Sequence, residues 1–296
     1  MKLGPKNLWR ILKQTFSDWS EDKAPELGAA LAFYTALSIA PLLVIVLGIA
    51  AFFLGEGAAR GHVMSEMQSM VGQEGASAIG DMIQNADKPT EGTIATVLSV
   101  ITLLFGASGV FGQLQSSMNT IWEVEPKPGR GIWGMIRDRF LSFTMVLGLA
   151  FLLLVSMILS AVIAAAGNFL SGMIGDAAWI GHVVHIATSM IVLTLLFAAM
   201  FKYLPDAKIG WRDVMLGAVV TAVLFTVGKF AIGLYLGHSS MASSYGVAGS
   251  FVVLLVWVYY SAQILFFGAE LTQVYANNFG SRIVPSENAR RVTDEA

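Results

Sequence analysis

Six uninterrupted apolar stretches divide the chain: Ala29–Leu54, Thr93–Gly112, Leu141–Gly167, Gly181–Phe201, Val214–Leu236 and Val247–Ala269. A helix rises about 1.5 Å per residue, so about 20 apolar residues cover a hydrocarbon core of about 30 Å. Each stretch meets that length. Lys229 is the one formally charged side chain within them. The pattern predicts an all-α polytopic membrane protein with a six-helix transmembrane domain over residues 29–270, preceded by a segment 1–28 and followed by a tail 271–296.

Two polar segments have a pattern of their own. Leu8, Trp9, Leu12, Phe16 and Trp19 recur at helical spacing, with Lys6, Arg10 and Lys13 on the other side. This predicts an amphipathic helix lying along an anionic leaflet; a helix packed on neighbouring loops is the alternative. The first inter-span loop, Gly55–Gly92, is too long to be structureless. Val63, Met67, Met70 and Val71 form one apolar stripe, and Ile79, Met82 and Ile83 another. The loop is expected to form two short helices, separated near Gly72–Gly75, as a cap over the outer mouth. Glu56, Glu66, Glu74, Asp81, Asp87 and Glu91 make it acidic, either as a cation-concentrating surface or as a merely solvated face.

Lys and Arg set the orientation. Fifteen of the 18 basic residues fall in the N-terminal segment, the loops after the second and fourth spans, and the tail. Arg60 and Lys88, both in the first loop, are the two in the alternate loops. By the positive-inside rule, both ends are cytoplasmic. Composition agrees: 55% of residues are hydrophobic and 13% charged, with mean hydropathy +0.67, too little charge for a soluble surface. The net charge of −2 argues against a nucleic-acid partner. Cysteine is absent, which removes disulfides, thiolate metal sites and a Cys nucleophile. The first 27 residues are too charged for a secretory signal, so the first span reads as retained.

Four stretches resemble a known family. They are ELGAALAFYTALSIAPLLVIVL (Glu26–Leu47), FGASGVFGQLQSSMNTIWEV (Phe105–Val124), the segment Lys202–Gly237 that opens KYLPDAKIGW, and the segment Tyr245–Ala276 that opens YGVAGSFVVL. In this order they are similar to the YihY/BrkB family of bacterial inner-membrane proteins, over roughly residues 24–278. The resemblance implies six spans. The family once carried a ribonuclease label, since abandoned, and has been linked to envelope lipid or solute transport; the resemblance itself leaves the activity open.

The residues speak against a nuclease. Phosphodiester hydrolysis commonly uses clustered carboxylates or histidines around metals, with basic groups for phosphates. Here His62, His182, His185 and His238 all fall on the outer side, and the inner loops carry scattered Asp and Glu without a motif. His182 and His185 stand at i, i+3 near Asp176, which makes them a weak metal candidate or a hydrogen-bonded boundary pair. No metal, cofactor or enzymatic activity is expected.

The intramembrane polar residues are the remaining candidates. Lys229 lies about 10 Å below the outer boundary and either snorkels or faces a polar cavity. Glu270 sits at the inner end of the sixth span, and depth separates it from Lys229 by more than about 15 Å. Tyr34, Gln113, Gln115, Asn119 and Gln263 share the inner half with Glu270, as the lining of a vestibule or as hydrogen bonds between helices. Gly106, Gly109 and Gly112 mark close packing or a locally opened helix, and Pro41 a kink. The expected function is movement of a lipid or small solute through a cavity between helices, with membrane lipids and possible envelope proteins as partners. A non-transporting scaffold in an envelope complex is the alternative.

Overall fold

The computed structural model describes residues 5–86, 109–127, 178–238 and 249–292. Helix α1 (Pro5–Glu21) leads into α2 (Ala24–Leu54) and α3 (Glu56–Ala86). Residues 109–121 form α4, followed by β1 (Val124–Pro126), α5 (Ala178–Tyr203) and β2 (Ala207–Lys208). Then come α6 (Trp211–His238), α7 (Gly249–Phe279), β3 (Val284–Pro285) and β4 (Ala289–Arg291).

Four described helices are long and apolar enough to span a bilayer: Ala24–Phe53, Ile186–Tyr203, Trp211–Tyr235 and Phe251–Phe279. The chain is therefore a membrane protein. The third predicted span and nearly all of the second lie outside the described residues, as does Gly106. The last helix runs well past the predicted span end at Ala269, reaching Phe279. Charge does not stop it there, because the segment after Ala269 packs against α1 and so has its own buried face.

The centre of the bundle is the antiparallel pair α6–α7. A Cβ added to Gly217 would come within 1.7 Å of Thr272 Oγ1, and one added to Gly268 within 2.0 Å of Thr221 Oγ1. Each glycine thus receives the opposite threonine, and both threonines are wholly buried. Their hydroxyls donate within their own helices, Thr221 to the Gly217 carbonyl at 2.7 Å and Thr272 to the Gly268 carbonyl at 2.7 Å. A polar side chain in the apolar layer is thereby satisfied while it fills the gap at the facing glycine, oxygen foremost. Farther along the pair, Gly228 receives Ile264 and Tyr260. Helix α2 crosses α7 where Gly28 meets Gln263 and Tyr259. Through Pro41, α2 remains helical.

Helix α3 departs from the expected pair of short helices, since Glu56–Ala86 has no coil residue between its ends. It is not straight, however. A Cβ at Gly80 would lie 3.3 Å from Met64 Cε, whereas sixteen residues of straight helix span about 24 Å. The segment doubles back, and Val63, Ala76, Ile79 and Ile83 share one buried cluster with Leu43 of α2 and Leu254 and Val258 of α7.

At the other end of the bundle, called the terminal face below, α1 packs on α7 through Ile11, Leu271 and Val274. Arg10 lies over the Phe279 ring at 5.8 Å. The chain after α7 then binds two earlier loops. Strand β3 pairs antiparallel with β2, and β4 with β1 in the register Val124↔Arg291, Glu125↔Arg290 and Pro126↔Ala289. Asp213, buried near the start of α6, ties the same turn down: its carboxylate accepts from Ser281 N at 2.8 Å and from Ser281 Oγ at 2.7 Å.

The glycine–threonine interlock predicts a position-specific cost. Gly217→Ala or Gly268→Ala should destabilise the protein by about 1–3 kcal/mol through overpacking, seen as a lowered melting temperature in detergent. Gly48→Ala, with no atom within 4 Å of the added methyl, should leave that temperature unchanged or slightly raised.

Candidate functional site

A cavity of about 590 Å³ opens at the terminal face, between the end of α4, the α1–α2 junction and the loop after α5. Four acids stand in its wall. Asp22, Glu123, Glu125 and Asp206 contribute carboxylates, and Gln115, Ser116, Asn119 and Thr120 line the α4 side. Gly112, Val124, Pro126 and Val292 complete the wall.

Local structure explains each placement. Lys23 adopts a left-handed conformation (φ 52°), turning the chain between α1 and α2 so that Asp22 sits at the corner. Glu123 is left-handed as well (φ 53°) and ends α4. A non-glycine residue in that region carries strain that surrounding contacts must hold. Here the Glu123 amide donates to the Thr120 carbonyl at 2.9 Å, and its carbonyl accepts from Val292 N at 3.1 Å. Asn119 clamps the loop after α5, donating from Nδ2 to Asp206 Oδ2 at 3.1 Å and accepting from Asp206 N at 2.8 Å. Glu125 faces the Arg290 guanidinium at 2.7 Å.

Glu270 stands beside this cavity and not on its wall. It is 0% exposed, and neither carboxyl oxygen has a partner at hydrogen-bond geometry. Among the described residues, the charged groups that act on it are the acids Asp22, Asp18 and Glu123. Burial holds the Asp22 carboxyl above its ordinary range; an interaction with Glu270 opposes this, and the charges of Glu123, Asp18 and Glu21 add to it. Asp18 is raised mainly by burial too.

Of the residues singled out in the sequence, Asn119 lines the cavity, as do Gln115 and Gly112, and Glu270 adjoins it. Others lie elsewhere. Gln113 donates to Ser117 Oγ on its own helix at 3.3 Å. Gln263 is held at the α2–α7 crossing, with both amide atoms buried and unpaired. Tyr34 is partly exposed and lies beside Gly109, where an added Cβ would meet Ser38 Oγ at 3.2 Å. Lys229 is remote. Extending the α6–α7 register puts it level with Tyr260, ten residues from Glu270 along α7 (260 to 270), about 15 Å. The backbone at His182 and His185 is helical, in α5, and their side chains lie outside the described residues. Among the described residues, no three His, Cys, Asp or Glu side chains are grouped so as to hold a metal ion.

Sequence reasoning passed over Asp22, Glu123, Glu125 and Asp206. Asp22 and Glu123 sit just past helix ends, Glu125 in β1 and Asp206 in the loop after α5, where an acid ordinarily reads as solvated. The available signal was their common end of the bundle, fixed by the order of the spans.

The family model for virulence factor BrkB matches residues 15–293, a stretch that includes every residue of the cavity wall. The chain belongs to the virulence factor BrkB family. Among its relatives, a UPF0761 membrane protein of Pseudomonas aeruginosa is 27% identical over 84% of this chain and 59% of its own length. The BrkB-family chain thus spans about three fifths of that longer relative. A UPF0761 membrane protein of Actinobacillus pleuropneumoniae is 23% identical over 88% of this chain and 92% of its own. A Bacillus subtilis protein named as ribonuclease-like is 22% identical over 94% of this chain and 98% of its own. No solved structure matches it.

The raised Asp22 carboxyl has a consequence for stability. Between its ordinary value of 3.8 and its raised folded value, the folded protein binds more protons than the unfolded chain. That contribution is fully present below the ordinary value and is lost as pH rises through the folded one. The melting temperature in detergent should therefore fall as pH rises above 3.8. Asp22→Asn should flatten the fall and raise the melting temperature at neutral pH.

Proposed function

We propose that this BrkB-family protein moves a small cationic or amine-bearing solute, or the amine headgroup of a lipid, through the membrane, and that the acidic cavity is its entrance. One observation carries the reading: a 590 Å³ cavity walled by four carboxylates adjoins a wholly buried, unpaired Glu270. A scaffold gains nothing from an unpaired buried acid, which costs several kcal/mol if ionised without a partner. Low-dielectric walls of one sign also concentrate counter-ions. The ribonuclease-like description belongs to the Bacillus subtilis relative. For this chain, an acid-lined opening disfavours a polyanion, whose binding rests on Lys and Arg.

The same reading orients the protein. Lys6, Arg10, Lys13, Lys127, Lys208, Arg282 and Arg290 all belong to segments of the terminal face. The positive-inside rule supports placing that face, and both chain ends, in the cytoplasm of a bacterial inner membrane. Helix α1 then lies at the lipid boundary. Ile11 and Thr15 are buried, while Leu8, Trp9, Leu12 and Phe16 stand exposed, Trp9 by 71%. Those four side chains suit the interfacial layer of the leaflet. Lys229, at the level of Tyr260, then belongs to the far half of the membrane and not to the entrance.

Reconstituted vesicles test the entrance. Uptake of labelled ethylammonium, or transbilayer movement of phosphatidylethanolamine, should fall at least about tenfold when Ser116→Trp fills the cavity, since bulk there blocks the path. Gly48→Ala should leave the rate unchanged. Neither activity in the unaltered protein, or full activity in Ser116→Trp, would overturn the proposal.

A further inference from the structure

Residues 284–292, after α7, run as a strap across both loops that carry acids of the cavity. The first part of the strap joins the loop after α5. There β3 pairs with β2, and Ser286 N donates to the Asp206 carbonyl at 2.9 Å. The second part joins the loop after α4. Lys127 N donates to the Asn288 carbonyl at 3.0 Å, and Val292 N to the Glu123 carbonyl at 3.1 Å. Two ion pairs of opposite sense accompany these bonds. Glu287 of the strap meets Lys208 at 3.4 Å, and Arg290 of the strap meets Glu125 at 2.7 Å.

Each fastening is small. Strands β2 and β3 have two residues apiece and β1 and β4 three, and two-stranded ribbons are marginal on their own. Lys208 and Glu287 are exposed, and Arg290 and Glu125 keep 29% and 36% of their side-chain surface, so water and salt reach both pairs. A segment held this way opens locally while the bundle stays folded. Opening changes the cavity twice over. Val292 leaves the wall, and Glu125 gives up its guanidinium partner. The mouth becomes wider and more acidic together, and a more acidic mouth draws cations harder.

We propose that residues 284–292 are an autoinhibitory strap over the entrance, with Arg290 standing at Glu125 in place of a cationic cargo. The inference rests on the reading of the cavity as a cation entrance and adds its regulation. A guanidinium or primary ammonium group that enters the cavity competes with Arg290 for the Glu125 carboxylate, and its success frees β4 from β1. Because Arg290 is tethered, it competes at an effective concentration of about millimolar or above. The strap therefore holds against traces of cargo and yields to an abundant one.

Hydrogen exchange of the full chain in detergent, read by mass spectrometry over residues 284–292 and 122–127, tests the strap without transport. Arg290→Gln should speed exchange in both segments at least about threefold, and Arg290→Lys should keep most of the protection. Methylguanidinium chloride at about 20 mM should speed exchange in the unaltered protein. Tetramethylammonium chloride of equal ionic strength, which has no N–H to donate, should not. Glu125→Gln should exchange fast from the outset and lose the response to methylguanidinium. Slow exchange in both Arg290→Gln and Glu125→Gln overturns the strap, as do equal effects of the two salts or a rise spread through α6 and α7. A strap that responds while vesicles take up no ethylammonium keeps the strap and removes the transport reading; uptake with an unresponsive strap does the reverse.

Discussion

Lipid tails are as apolar as leucine, so membrane helices are held together by close packing and not by escape from water. Among the described residues the closest packing is the reciprocal insertion of Thr272 at Gly217 and Thr221 at Gly268. Because both contacts must be made at once, α6 and α7 have a single register, and a slip by one residue would drive a threonine into the facing backbone. Several distant features inherit that register. It sets Lys229 and Glu270 in different halves of the bundle, and it brings the end of α7 beside the start of α6, where Ser281 reaches Asp213.

From there the order reaches the cavity. Held by Asp213, the chain after α7 turns back and offers its two strands to the loops after α4 and α5. Those loops carry Glu125 and Asp206, two of the four acids in the wall. Each loop is anchored by apolar side chains in the main core: Trp122 and Val124 after α4, and Leu204, Ala207 and Ile209 after α5. Backbone pairing with the tail and the Asn119–Asp206 clamp add polar bonds to that anchorage. The acidic surface thus stands on a dry apolar base, with the polar bonds at its rim.

Much of this architecture was legible in the sequence, and the reasons it was or was not are physical. Long apolar runs have one main explanation, so the four spans within the described residues were read at nearly their observed positions. Helix ends were less legible: α7 passes Ala269 because α1 covers its next turns, a tertiary effect with no mark in hydropathy. The fold-back of α3 near its glycines was suggested by two separate apolar stripes, although the backbone stays helical throughout. Glu270 stood out as an acid at the end of an apolar run. Its neighbour Asp22 did not, since an acid before a first span looks like any solvated residue until α1 folds over α7. For Gln113 and Gln263 the sequence left two readings open, a cavity wall or a bond between helices; Gln113 meets Ser117 on its own helix and Gln263 lies buried at the α2–α7 crossing.

The tail strands also impose an order of events in time. A chain emerges from the ribosome N-terminus first, so α4 and α5 are made well before residues 284–291, the only described strands with which β1 and β2 pair. Until those residues emerge, the two loops lack their partners and the cavity lacks the part of its wall supplied by Val292. The opening is therefore finished after the helices are already in place. An incompletely made chain would carry a bundle without a formed mouth.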